Sequence, residues 1–257
     1  MWPPRAGGRS SALGGIVTAL VRLRLPSLAG PLLVLVLATA AGCGSSSDGS
    51  SGSASGLAAK SPSQIVTAAQ AAADGASSVH VSGSIVNGRT PIALDMELVN
   101  GTGGRGQLSE SGASFELIEV GGYVYIKGSP AFYSHVAGPA AAQLLQGKWL
   151  KASASSGAFA SLTSLTNLRK LLDSTLTSHG ALTKGATSTV GGQQAIAIKD
   201  ATRGGTLYVA TSGTPYPLQI SKGGTSGGTI AFDRWNEPVT LKAPANAVDL
   251  SQLERGH

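Results

Sequence analysis

Thr90-Pro91-Ile92-Ala93-Leu94-Asp95-Met96-Glu97-Leu98-Val99 is the stretch that decides the fold. Ile92, Leu94, Met96 and Leu98 alternate with Ala93, Asp95 and Glu97. A period of two sends successive side chains to opposite faces, so this reads as a strand with one face buried and one in water. The pattern extends upstream, where Val79, Val81 and Ile85 alternate with His80, Ser82 and Ser84. Downstream, strands are predicted at 104–110, 114–120, 122–127, 148–153, 182–190, 193–199, 205–211, 216–222, 228–233 and 239–242. Asn87-Gly88, Asn100-Gly101, Gly121-Gly122, Gly191-Gly192 and Gly223-Gly224 mark turns between them. Short strands joined by tight glycine turns predict an antiparallel meander rather than βαβ units.

Helices interrupt this run. Ser61-Pro62-Ser63-Gln64 is a helix start, with Ser at the cap, Pro at the first helical position and Gln three residues after the cap. That helix is expected to run to Ala73, end at Asp74-Gly75 and bury Ile65, Ala68, Ala69 and Ala72. Two more are predicted, at 130–146 and at 161–178. The latter places Leu165, Leu168, Leu172 and Leu176 on one face. The fold class is therefore α+β and mainly antiparallel β, a bent sheet with helices laid across its concave face.

Charge and composition narrow the function. The 257 residues carry a formal charge of +6, with 12% charged, 36 Gly and one Cys. Arg5, Arg9, Arg22 and Arg24 all precede residue 25, and 15 basic residues face 13 acidic ones after Cys43. The nearly neutral remainder lacks the basic footprint of a phosphate binder, so no nucleic-acid partner is expected. Residues 25–42 are apolar or small, follow arginines, and end in Ala40-Ala41-Gly42 before Cys43. This is the layout of a secretory signal peptide over residues 1–42. An uncleaved membrane helix is the alternative, but Pro26, Gly30 and Pro31 interrupt its first half. Translation from Val17 or Val21 would leave Arg22 and Arg24 as a compact basic start.

Ala40-Ala41-Gly42-Cys43 resembles a bacterial lipobox, which implies that Cys43 is lipidated and becomes the mature N-terminus. The usual first Leu of that motif is Ala40 here. A lone cysteine can also be a buried small hydrophobe. More than one acyl chain is needed for stable anchoring, and a diacylglyceryl thioether supplies two. Residues 43–60 are then the lipidated Cys and a flexible Ser/Gly tether, since Gly, Ser and Ala cannot bury enough apolar surface to order themselves. Residues 61–252 form one domain and 253–257 a tail.

Catalytic chemistry finds little footing. Gly101-Thr102-Gly103-Gly104-Arg105-Gly106 fits a dinucleotide fingerprint literally, but Gln107-Leu108-Ser109-Glu110 opens a strand where the fingerprint needs a helix. It reads as a hairpin turn. S-x-x-K, H-E-x-x-H and P-loop motifs are missing from the sequence. His80, His135 and His179 lack metal-ligand spacing. No catalytic residue, metal or cofactor is assigned, and the chain is expected not to be an enzyme. Tyr123 and Tyr125 with Lys127 share one strand face, as a cross-strand ladder or a binding wall.

A family resemblance rests on several of these features together. Gly121-Gly122-Tyr123-Val124-Tyr125-Ile126-Lys127-Gly128, Gly147-Lys148-Trp149-Leu150 and Phe232-Asp233-Arg234-Trp235-Asn236-Glu237-Pro238-Val239 carry it, with Ala243-Pro244 and Val248-Asp249-Leu250. Together with the lipobox and tether they resemble the actinobacterial LppX/LprA/LprF/LprG lipoproteins, related in fold to LolA. The resemblance covers about 61–252. It implies a half-open curved sheet (an incomplete barrel) with a helical lid over an apolar cavity. It also implies carriage of acylated lipids or lipoglycans at the extracytoplasmic face of the cell membrane. The membrane, through the anchor, and an acylated lipid or lipoglycan are the expected partners, and no protein partner is indicated.

Candidate cavity walls are Val81, Ile85, Ile92, Leu94, Met96, Leu98, Phe115 and Leu117 on the sheet, with Leu165, Leu168 and Leu172 on the helices. The alternative is a non-enzymatic envelope scaffold that uses the same sheet with a filled core.

Overall fold

A computed structural model describes residues 55–87, 90–156, 159–176, 179–225 and 227–254. Among the described residues twelve strands form a single sheet. They are β1 Ser78–Asn87, β2 Thr90–Val99, β3 Gly103–Glu110, β4 Ala113–Val120, β5 Tyr123–Gly128 and β6 Leu150–Ser153 in the first half. The second half holds β7 Leu182–Val190, β8 Gln193–Asp200, β9 Thr206–Ala210, β10 Pro217–Lys222, β11 Gly228–Asp233 and the short β12 Val248–Asp249. Their order is β12-β6-β5-β4-β3-β2-β1-β11-β10-β9-β8-β7. Two meanders thus meet where β1 pairs with β11, and the sheet is curved and unclosed. Among the described residues every pairing is antiparallel except β12 with β6.

Seven helices are described: α1 Ser55–Ala58, α2 Pro62–Asp74, α3 Pro130–Ala137, α4 Pro139–Leu145, α5 Phe159–Thr166, α6 Leu168–Leu176 and α7 Leu250–Glu254. The start of α2 is the expected capping box. The Ser61 hydroxyl accepts from the Gln64 N–H at 3.4 Å, and Gln64 Oε1 accepts from the Ser61 N–H at 3.0 Å. Inside the stretch read as tether, Leu57 of α1 packs against Ile65 and Val66, and Lys184 Nζ donates to the carbonyls of Ala58 and Lys60.

Three expectations are corrected. The single helix over 130–146 is a hairpin of α3 and α4, broken at Gly138 (φ 86), where Pro139 starts the second helix. A left-handed residue ends a helix, and proline at the first position of the next suits its missing N–H. The helix over 161–178 is likewise two, and the Asn167 side chain caps α6 by accepting from the Lys170 N–H at 2.9 Å. Residues 239–242 form no strand: Pro238 precedes them, and the Arg105 guanidinium donates to the Thr240 carbonyl at 3.3 Å in place of a ladder bond. The glycine-rich 101–106 is the hairpin turn and first residues of β3, as its lack of a following helix required.

Most of the core lies on one face; a small cluster of Ala195, Ala210 and Leu218 lies on the other. Val79, Val81, Met96, Leu98, Leu117, Val124 and Phe232 of the first meander and β11 meet Leu168, Leu172 and Leu176 of α6. A second cluster joins Ile65, Val66 and Ala69 of α2 to Ile196, Ile198 and Val209 of β8 and β9. Helix α2 abuts α6, where Gln70 Nε2 donates to Asp173 Oδ1 at 2.9 Å. The helices therefore cover the concave face as two neighbouring blocks.

Candidate functional site

The ladder register lines up one inward-facing residue per strand in rungs that cross the sheet. One rung runs Val81, Met96, Gly106, Leu117, Ile126, Leu150. Its side chains are all buried. Gly106 is what closes it, because a Cβ there would lie 2.5 Å from Met96 Sδ. The thioether occupies that place.

The next rung runs through eight strands: Phe115, Leu108, Leu94, Gly83, Ile230, Ile220, Leu207, Ile198. Phe115, Leu108 and Ile198 at its ends are buried, whereas Leu94, Ile230, Ile220 and Leu207 in the middle are half-buried. Gly83 at the centre contributes no side chain. At the β8–β10 end this stretch opens into a recess of ≈ 100 Å³ lined by Val66, Leu176, Leu182, Ile198, Leu207 and Ile220. The recess lies at the seam between the α2 and α6 blocks. Its volume is well below the roughly 300–1,000 Å³ usual for small-molecule sites, so a chain-like ligand would extend along the rung.

Polar groups near this stretch are engaged. Asp200, which also lines the recess, accepts backbone N–H bonds from Arg203 at 2.8 Å, Gly180 at 2.9 Å and Thr202 at 2.9 Å. Arg203 first, then Gly180 and Thr202, hold its carboxyl below the ordinary value. Glu119 is the carboxylate on the inner rung Leu98, Gly104, Glu119, Val124. The hydroxyl of buried Thr166, at the end of α5, donates to it. This hydrogen bond fixes the α5–α6 corner to β4.

The eleven expected cavity residues all fall on this face. Val81, Ile92, Met96, Leu98, Phe115, Leu117, Leu168 and Leu172 are buried, while Ile85, Leu94 and Leu165 are half-buried. Sequence reasoning missed Ile230, Ile220 and Leu207; the spacing of two from Ile230 to Phe232 and from Leu207 to Val209 was the available signal. Cys43 and the 1–42 leader lie outside the described residues. Among those described, no helix is long and apolar enough to cross a membrane and no group of His, Cys, Asp or Glu could hold a metal.

The opposite face is polar. Its groove of ≈ 570 Å³ is lined by Asp95, Glu97, Arg105, Gln107, Glu116 and Trp149 among others. Arg105 pairs with Glu97 at 2.6 Å, and His80 lies between Asp233 at 2.6 Å and Asp95 at 3.2 Å. Tyr125 on this face is buried and the Tyr123 ring lies under Lys151 Nζ at 4.0 Å, as in a cross-strand ladder.

No protein-family model and no curated protein matches this chain. Solved structures do. LprF from Mycobacterium bovis matches with TM-score 0.51 at 14% identity, covering 72% of this chain and 97% of LprF. Lipoprotein LppX of Mycobacterium tuberculosis matches with TM-score 0.47 at 18% identity, over 70% of this chain and 98% of LppX. A LolA superfamily protein from Nitrosomonas europaea matches with TM-score 0.26 at 10% identity, over 71% and 96%. The chain is similar in fold to LprF, a member of the group its sequence resembles.

Proposed function

We propose that this protein is a membrane-tethered envelope lipoprotein that binds an acylated lipid on the concave face of its sheet and carries it between membrane and envelope. The observation behind this reading is the half-buried apolar stretch Leu94, Gly83, Ile230, Ile220, Leu207. Apolar side chains from four of five consecutive strands, with a glycine between them and a recess at one end, make a track for an acyl chain. Burial of acyl CH₂ groups contributes about 0.8 kcal/mol each, so a long chain supplies affinity without polar recognition. Helices α5 and α6 act as the lid, and the Glu119–Thr166 hydrogen bond sets its hinge. The leader and Cys43 supply the anchor, the 44–54 stretch the tether, and the location is the extracytoplasmic face of the membrane. The reading assigns the protein no catalytic step.

The eight fully buried members of the expected cavity favour the other reading, a scaffold with a filled core. Native mass spectrometry of gently purified protein separates the two. The carrier reading expects a co-purifying species of lipid mass that delipidation removes and added acyl lipid restores. A protein of apo mass that takes up no lipid supports the scaffold.

A further inference from the structure

The α3–α4 hairpin is the part of the molecule that the lipid track leaves unexplained. Its inner side is built in: Tyr133 and Ala142 pack with Leu150, and the Tyr133 hydroxyl accepts from the Gly128 N–H at 2.9 Å and donates to the Lys148 carbonyl at 3.3 Å. Its outer side carries apolar residues, with Ser134, His135, Gln143 and Gln146 exposed beside them. Among the described residues three large hydrophobics are exposed, Leu144 at 68%, Val136 at 47% and Tyr123 at 41%. The Tyr123 ring is covered by Lys151, but Val136 and Leu144 both stand on this hairpin. Ala137, Pro139 and Ala140 continue the exposed surface between them, and Ala140 lies four residues before Leu144, on the same helix face. From Gly128 to Gly147 the sequence has no Asp, Glu, Lys or Arg. Directly at the base stand Lys148 and Trp149, with Lys127 Nζ 5.0 Å from the indole.

We infer that the tip of this hairpin docks on the surface of a lipid bilayer, with Val136 and Leu144 entering the headgroup region. A tip with exposed Val136 and Leu144 and no Asp, Glu, Lys or Arg, with Lys and Trp behind it, is the arrangement an interfacial segment requires: apolar atoms enter the acyl boundary while amphipathic and cationic side chains stay at headgroup level. Occupancy by a membrane rather than another surface is argued from the length of chain outside the described residues. This step rests on the anchored reading. Eleven residues, 44–54, separate Cys43 from α1, and fully extended they reach about 35–40 Å. A lipid at Cys43 therefore holds the hairpin within reach of the bilayer at high effective concentration, so a contact too weak to recruit a free protein is made. Docking would present the domain to the membrane in one orientation.

The test is amide hydrogen exchange of the full lipidated chain on vesicles of phosphatidylcholine and phosphatidylglycerol, beside the double variant Val136→Glu/Leu144→Glu. Both side chains are exposed, so the variant should keep the wild-type melting midpoint. The expected result is exchange over 130–146 several-fold slower in wild type than in the variant, with β7 and β8 unchanged and both proteins floating with vesicles. If both float and 130–146 exchanges alike, docking is overturned and the anchor stands. If neither floats, the anchor fails and docking with it. Slowing that follows protein concentration in the absence of vesicles would assign the patch to a second copy and also overturn the inference.

Discussion

Two adjacent rungs of the same concave face differ in how they are filled. Val81, Met96, Gly106 and Leu117 form a closed layer, in which the missing side chain of Gly106 is replaced by the Met96 thioether. One step along the strands, Leu94, Gly83, Ile230 and Ile220 leave part of their surface uncovered, and a Cβ at Gly83 would lie 2.1 Å from the Thr229 carbonyl oxygen of β11, so backbone rather than a side chain takes that place. Alternation assigns a residue to a face. Filling depends on which rung lies beneath a helix, and that separates the closed layer from the half-buried rung.

The largest effect should come from the closed layer. Leu172→Ala removes a fully buried side chain of α6 and should cost about 2–5 kcal/mol, read as a lower denaturant midpoint. Leu207→Ala, in the half-open rung, should cost clearly less. Equal losses would erase the distinction between the rungs.

A pair of enlargements sharpens it. Met96→Trp overpacks a site already occupied and should cost about 1–3 kcal/mol. Leu94→Trp, two residues away on the same strand, should leave the midpoint near wild type and lower uptake of a fluorescent acyl probe. A destabilised Leu94→Trp with normal uptake would place the track elsewhere.

The α5–α6 corner gives a comparable effect of a different kind. Thr166→Val takes away the hydroxyl that donates to Glu119 and leaves a carboxylate on an apolar rung, a loss of about 1–3 kcal/mol. Hydrogen exchange in α5 and α6 should quicken while β7 to β9 hold. Uniform quickening would mean the hydrogen bond is not a local hinge.

The smallest effect concerns the mouth of the recess. Backbone N–H bonds from Arg203, Gly180 and Thr202 hold the Asp200 carboxyl below its ordinary 3.8. The stabilisation is complete above that value and is lost as pH falls through the lowered one. Amide signals of Gly180 and Arg203 should therefore titrate together, with a midpoint below 3.8. A midpoint at or above it contradicts the assignment.

Much of this fold is legible in the sequence because strand alternation and glycine turns are local. Ile92, Leu94, Met96 and Leu98 lie inward as their period requires, and Ser61 caps α2 as its spacing requires. What the sequence does not carry is register across distant strands. Gly83 meets Ile230 only because β1 pairs with β11, nearly 150 residues on, so the partners of Leu94 in the open rung could not be named from alternation alone. The helix break at Asn167 was missed because the apolar spacing of Leu165, Leu168 and Leu172 runs through the corner undisturbed, whereas the break at 138 was signalled locally by Gly138-Pro139. The break at Asn167 is encoded by one cap residue within an otherwise helical pattern.

The central claim is that an acyl chain lies along the half-buried rung, and photochemical mapping tests it most directly. A fatty-acyl probe with a diazirine along its chain, bound and irradiated, should leave adducts on the β2, β9, β10 and β11 peptides that contain Leu94, Leu207, Ile220 and Ile230. Adducts confined to residues 130–146, or none above an unbound control, would contradict the account.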